Sequence, residues 1–192
     1  MTDRTADRMS DPRAERTRAK LRQALLAECE ERPFEEVSVA ALVRRAGVGR
    51  ATFYLHYADL RALAVDACAT VVRDAVEALH AWRGTPTPAN VPPALTDFFA
   101  SLPAHAGLYR TLLHEGGSGP LGDLLHQRLR TRSHHERALA GAPAPELIAS
   151  AVASTFAGVL ADWLHARIPA TPEEIATQTW RLLLALHGTR LS

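Results

Sequence analysis

Lysine is nearly missing from this chain: Lys20 stands alone and arginine supplies every other fixed positive charge, a bias that points to a GC-rich coding sequence and says nothing about chemistry. Cysteine is scarce too. Cys29 and Cys68 each continue an apolar helical stripe, so they read as small core hydrophobes rather than a redox pair. No apolar run follows a basic start, and none approaches the roughly 20 uninterrupted residues of a membrane span, so a protein of the reducing cytoplasm is expected. An excess of either charge is missing as well, since 22 Lys and Arg against 21 Asp and Glu leave +1, and net charge alone does not suggest a nucleic acid partner. Histidine is plentiful at nine, but the metal spacings are lacking. His134 and His135 are adjacent and face different ways on a helix, His126 and His134 lie two turns apart around Arg130, and neither His-x3-His nor His-Glu-x-x-His occurs. No metal, no cofactor and no nucleophile–base set is therefore expected. Strand signals and internal repeats are also wanting.

What remains is helical. With 192 residues and 47% apolar content the chain can bury a sizeable core in one or two domains. Met1 to Ser10, with Arg4 and Arg8, mixes both charges with little apolar content and reads as a solvated arm. Asp11-Pro12 signals a helix start, and Leu21, Ala24, Leu25 and Cys29 carry the stripe to about Glu31, before Pro33.

The stretch Ser38 to Leu63 organises the rest. Ser38 is a good N-cap flanked by Val37 and Leu42 at staple positions, and Val39 to Ala46 is a short helix stopped at Gly47, where a left-handed residue is needed. Val48 and Phe53 staple a second start around Gly49, so a helix over Arg50 to His56 follows a turn of about three residues. Two helices joined so tightly cross steeply. Arg50, Ala51, Thr52 and Tyr54 then face outward, with Val48, Phe53 and Tyr57 inward. Arg44, Arg45, Arg50 and Arg61 against Asp59 make the element locally basic, as a DNA-docking helix-turn-helix requires.

Asp59 caps a longer helix with Leu63, Ala64, Ala67, Cys68, Val71 and Val72 continuing through Leu79 to Trp82. About 24 residues at 1.5 Å rise make a rod of roughly 35 Å, able to join two domains and carry movement between them. A Pro-rich break, TPTPANVPP, follows Gly84, and further helices are expected over Pro92 to Leu102, Gly107 to His114, Leu121 to Leu139, Pro145 to Arg167 and Pro172 to Gly188, with GGSGP and AGAPAP as breaks. Thr171-Pro172-Glu173-Glu174 is a capping box with proline at the first helical position. The last two helices are apolar on more than one face and so must bury more than one, which a two-fold dimer does economically, the alternative being that both faces are covered within one chain.

GVGRATFYLHYADLRAL resembles the recognition helix and following helix start of TetR-type transcriptional regulators, usually worded Gly-Val-Ser-x-x-Thr-x-Tyr-x-x-Phe-x-x-Lys-x-x-Leu. Gly47, Val48, Thr52, Phe53, Tyr54, Tyr57 and Leu63 fit it, as do Ser38, Val39 and Leu42 ahead of it. Gly49 replaces the usual Ser at little cost, and Leu60 replaces a phosphate-touching Lys, a contact left to Arg61 or the helix start. The resemblance implies an all-α fold of about nine helices: a helix-turn-helix DNA-binding domain over 11–58, a connecting helix over 59–82, and an effector-binding and dimerisation domain over 83–192. It also implies a homodimer on a pseudo-palindromic operator, and repression relieved by a small, mostly apolar effector.

The candidate DNA contacts are Ser38, Arg44, Gly49, Arg50, Ala51, Thr52, Tyr54, His56 and Tyr57. Arg50 suits guanine O6 and N7, and Ala51 and the Thr52 methyl suit thymine methyls. The candidate effector contacts are Trp82, Phe98, Phe99, Leu102, Tyr109, Leu113, Leu125, Leu129, Val152 and Phe156. The candidate dimer face is Phe156, Leu160, Trp163, Leu164, Trp180, Leu183, Leu184 and His187. Two other readings compete: a DNA-binding regulator whose C-terminal part only dimerises or binds protein, and a small helical enzyme using that cavity with histidine acid–base chemistry.

Overall fold

The computed structural model describes residues 12–141 and 143–186, with the side chain of His80 left out. The arm with Arg4 and Arg8, the Asp11 cap and His187 fall outside the described residues. Nine α-helices are formed among those described, with an isolated antiparallel bridge between Thr87 and Asn90 as the one β pairing. The backbone divides into two compact units, Met1–Ala67 and Cys68–Ser192, with the division inside the fourth helix.

In the first unit α1 is Pro12–Glu31, α2 is Val39–Ala46, α3 is Arg50–His56 and α4, Leu60–Ala81, begins. The Ser38 hydroxyl accepts from the Ala41 N–H at 3.2 Å, and Gly47 ends α2 at φ 63°. Asp59 accepts from the Ala62 N–H at 2.7 Å, which caps α4. Leu21, Leu25, Leu42, Phe53, Leu63 and Ala64 are fully buried together, with Val37 and Tyr57 beside them. Val48 is only half-buried.

Two charged networks tie this small core. Arg22 donates to Asp66 at 3.0 Å and to Glu15 at 2.6 Å, and the Tyr57 hydroxyl donates to the same Asp66 oxygen at 2.5 Å. Burial works against the Arg22 charge, but the hydrogen bonds and charges of Glu15 and Asp66 outweigh it and hold the guanidinium protonated. Glu28, 3% exposed in the face of α1 that carries Leu21 and Leu25, accepts from Arg45 Nε at 2.6 Å with Arg32 Nε at 3.3 Å; Arg45 also reaches Glu31. A buried carboxylate survives only when so paired.

In the second unit α5 is Pro93–Ser101, α6 Ala106–Leu112, α7 Pro120–Leu139, α8 Pro145–Leu164 and α9 Pro172–Leu186, with 3-10 turns at Leu102–His105 and Glu115–Gly117. The capping box is formed: the Thr171 N–H donates to Glu174 at 2.8 Å and the Glu174 N–H to Thr171 Oγ1 at 3.2 Å. Phe98, Phe99 and Phe156 meet at ring separations of 5.5–6.1 Å, and Trp163 packs edge-on against Phe99 at 5.4 Å. The GGSGP segment is a close contact as well as a break. A Cβ on Gly122 would lie 2.0 Å from the Gly117 carbonyl oxygen, and Gly117, at φ 81°, itself sits against the α8 backbone at Ala157 and Gly158. By length and composition α8 could cross a membrane, with a mean hydropathy of 1.6. Here Ala149, Val152, Ala153, Phe156, Ala157, Leu160, Ala161 and Leu164 bury one broad face of it within the unit.

Candidate functional site

Gly49 caps α3 with extended backbone at φ −76°, and the staggered helix start leaves Arg50, Ala51, Tyr54 and Leu55 exposed, with Thr52 and His56 half-buried. Arg50 lies 5.9 Å from the centre of the Tyr54 ring, which is set edge-on to buried Phe53 at 5.1 Å. A cation–π contact on an anchored ring limits where the guanidinium points. Arg44 and Arg61 are exposed and make no ion pair among the described residues, whereas Arg45 is held by Glu28 and Glu31. The surface cations of this element that make no ion pair among the described residues are thus Arg44, Arg50 and Arg61.

Three residues of the candidate DNA set have structural duties. The Ser38 hydroxyl caps α2, Gly49 supplies only backbone, and Tyr57 is 7% exposed with its hydroxyl on Asp66. Tyr57 therefore lies beneath the α3 surface, and burial, followed by the Asp66 hydrogen bond and charge, pushes its phenol above the usual tyrosine range. Leu60 shares a shallow hollow with Phe34, Val37 and Tyr54, together with Glu35, Asp59 and Arg61.

The second unit holds an apolar cavity of about 290 Å³. Its wall comes from α4 (Val72, Ala75, Val76, Leu79), from Trp82 and Pro86, from α5 (Ala94, Leu95, Phe98), from α7 (Leu129, Ser133, Glu136), from α8 (Val152, Phe156) and from α9 (Trp180, Leu183, Leu184). The Pro-rich stretch is fastened against α9, because the Trp180 indole donates to the Thr87 carbonyl at 2.9 Å and packs edge-on to Trp82 at 5.8 Å.

Of the ten candidate effector contacts, Trp82, Phe98, Leu129, Val152 and Phe156 line this cavity. Phe99, Leu102, Tyr109, Leu113 and Leu125 do not; they are at most 2% exposed in the solid core, where the apolar pattern looks the same. Burial raises the Tyr109 phenol strongly, with a smaller push from Cys68. Of the candidate dimer face, Trp180, Leu183 and Leu184 line the cavity from α9, and Leu160 and Leu164 are buried within the single chain. Trp163 is half-buried, its indole donating to the Ala170 carbonyl at 2.9 Å. The outward surfaces carry other residues: Leu147, 69% exposed, and Gly158 on α8, and Gln178, Arg181, Leu182 and Ala185 on α9.

His126 pairs with Ser154 at 3.2 Å and His134 with Glu146 at 3.4 Å, each joining α7 to α8. Among the described residues no group of three His, Cys, Asp or Glu side chains is placed to hold a metal ion. Cys68 is buried, and Cys29 has its thiol pushed up to about 11 by burial and then by Glu35 and Glu28, which leaves it protonated and unreactive.

Residues 21–67 match the profile of bacterial regulatory proteins of the tetR family. Among solved structures, a tetR-family transcriptional regulator from Streptomyces coelicolor is similar at 23% identity and a TM-score of 0.60, over 91% of this chain and 81% of that one. A TetR transcriptional regulator from Rhodococcus sp. RHA1 aligns at 18% identity and 0.58, over 88% and 97%. NalD from Pseudomonas aeruginosa, the secondary repressor of the MexAB-OprM multidrug efflux pump, aligns at 17% and 0.55, over 89% and 96%. At these identities the likeness to solved structures is one of fold. A comparison with curated proteins finds no match. The profile match thus places a DNA-binding domain of the tetR type at residues 21–67, and across the rest of the chain the likeness to these regulators is one of fold.

Proposed function

We propose that the chain is a cytoplasmic, homodimeric repressor that leaves its operator when a small, mostly apolar molecule enters the cavity of its second unit. The observation that carries this reading is the cavity itself, about 290 Å³ and apolar; a module that only dimerises has no need of one. That volume sits at the lower end of the roughly 300–1,000 Å³ typical of small-molecule sites.

On the operator, Arg50 would donate bidentately to a guanine, and Ala51 and the Thr52 methyl would pack on thymine methyls. Tyr54, His56, the Thr52 hydroxyl, Arg44 and the backbone N–H groups at the starts of α2 and α3 would hold phosphates. Two copies would meet through the outward surfaces of α8 and α9, with Leu147 and Leu182, 69% and 46% exposed, as the apolar contacts. A two-fold pair of recognition helices calls for half-site centres about 34–36 Å apart, or a multiple of it. The effector acts by binding the DNA-incompetent state better, and roughly 1–3 kcal/mol of coupling is enough. Covalent continuity through α4 supplies the route.

The test is fluorescence anisotropy on duplexes tiled across the upstream intergenic region, in a salt series with unrelated DNA as competitor. Tight binding to one tile, persisting where the competitor is lost, supports the reading. Binding that is uniform and vanishes with salt points to an operator elsewhere, and no binding at all would revive the enzyme alternative.

A further inference from the structure

The cavity wall is apolar with two exceptions, both from α7. Ser133 is 7% exposed, and its hydroxyl has no hydrogen-bond partner among the described residues. Glu136, one turn on, brings the only ionisable side chain among the described lining residues and pairs with Arg132 at 3.1 Å. Among the described residues no Lys, Arg or His lines the cavity. A buried hydroxyl left unpaired costs free energy, and such groups in native structures are as a rule satisfied by a partner. The hydroxyl can donate or accept, whereas the Glu136 carboxylate only accepts. Four aromatic rings, Trp82, Trp180, Phe98 and Phe156, complete the wall.

Resting on the effector reading above, we propose that the cavity selects a ring-bearing apolar molecule with one hydrogen-bond-donating head, best a protonated amine, seated at Ser133 and Glu136. An amine head satisfies the orphan hydroxyl, meets the one negative charge in the wall and lies among ring faces that attract cations. A neutral alcohol satisfies Ser133 alone. A carboxylate meets no cation among the described lining residues and faces Glu136, so anions are disfavoured.

Calorimetric titration of the full chain with three matched probes tests this: 1-naphthylmethylamine, 1-naphthalenemethanol and 1-naphthoate. The expected order is amine, then alcohol, then acid. Ser133→Ala, which removes only an unpaired hydroxyl and so leaves the fold intact, should weaken the amine and the alcohol roughly five- to tenfold. Glu136→Gln should erase the preference of amine over alcohol while leaving the alcohol unchanged. Equal binding of all three, or indifference to Ser133→Ala, would overturn the inference and leave the cavity as an effector site. Failure of every probe to bind would overturn the inference and the effector reading together.

Discussion

Tyr57→Phe separates two roles that the sequence alone lets this residue play. If the hydroxyl touched a phosphate, its loss would weaken DNA binding. In the structure it donates to Asp66 at 2.5 Å beneath the α3 surface, so its loss should weaken the helix-turn-helix fold instead. Phenylalanine fills the same ring volume, and the change opens no cavity. A hydrogen bond to a charged group is worth about 1.5–3 kcal/mol. Asp66 is 37% exposed and keeps Arg22 at 3.0 Å, so the loss falls to about 1–2 kcal/mol once water and Arg22 compensate. Amide exchange of the full chain, followed by mass spectrometry over residues 21–57, should then quicken roughly 5- to 30-fold, at tenfold per 1.4 kcal/mol. DNA affinity should stay within about twofold of the parent where the head is folded. Unchanged exchange together with weakened DNA binding would refute the placement of this hydroxyl.

The same substitution has a signature in base. Tyr57 and Tyr109 both have folded pKa values above that of an unfolded tyrosine, near 10, so the folded chain keeps protons that the unfolded chain releases. Their contribution to stability is complete below about pH 10 and is lost above it, by up to about 1.4 kcal/mol per pH unit for each ring. The Cys29 thiol, raised to about 11, adds to this fall, so urea unfolding followed by circular dichroism between about pH 10 and 11 should show a slope that Tyr57→Phe lowers by roughly a third. Gly122→Ala places a Cβ 2.0 Å from the Gly117 carbonyl and should cost at least the roughly 1–3 kcal/mol of overpacking, read as a lower urea midpoint by tryptophan fluorescence. Arg50→Ala should relax sequence preference at one operator position by about 1–3 kcal/mol, and unchanged discrimination across single-base variants would remove Arg50 from base reading. Arg44→Met should lower the salt slope of binding by about one without altering amide exchange, whereas Arg45→Met should quicken exchange; identical behaviour of the pair would contradict their different surroundings. Leu182→Asp should convert a dimer to monomer in sedimentation, with the cavity intact.

Local signals were legible and partnership was not. Ser38, Gly47 and Thr171 act through atoms within a few residues of themselves, so the bounds of α2 and the start of α9 follow from side-chain chemistry and φ alone. Glu28 is the opposite case. In the run ECEERP it looks like any solvated acid, and its burial depends on Arg45 arriving from α2. The same contact separates Arg45 from Arg44, which adjacency in the sequence leaves alike. Apolar periodicity marks the buried faces of α5 to α9 correctly, but a residue facing a cavity and one facing a filled core show the same pattern. Phe98 lines the cavity and Phe99 does not, although they are neighbours. Trp180 reads as surface apolar area seeking a partner molecule, when its partner is the Thr87 carbonyl of the Pro-rich stretch, far away in sequence.

The position of α9 has a consequence for its evolution. Trp180, Leu183 and Leu184 look inward on the cavity, while Gln178, Arg181, Leu182 and Ala185 look outward, so the helix is a party wall one side chain thick. On the proposed function, neighbours such as Leu182 and Leu183 answer to different tenants. A saturating substitution library over 178–185 should therefore sort into two phenotypes, altered small-molecule response and altered self-association, alternating with the 3.6-residue beat of the helix. On the proposed function, the chain can thus change what it senses without changing how it pairs, one position at a time.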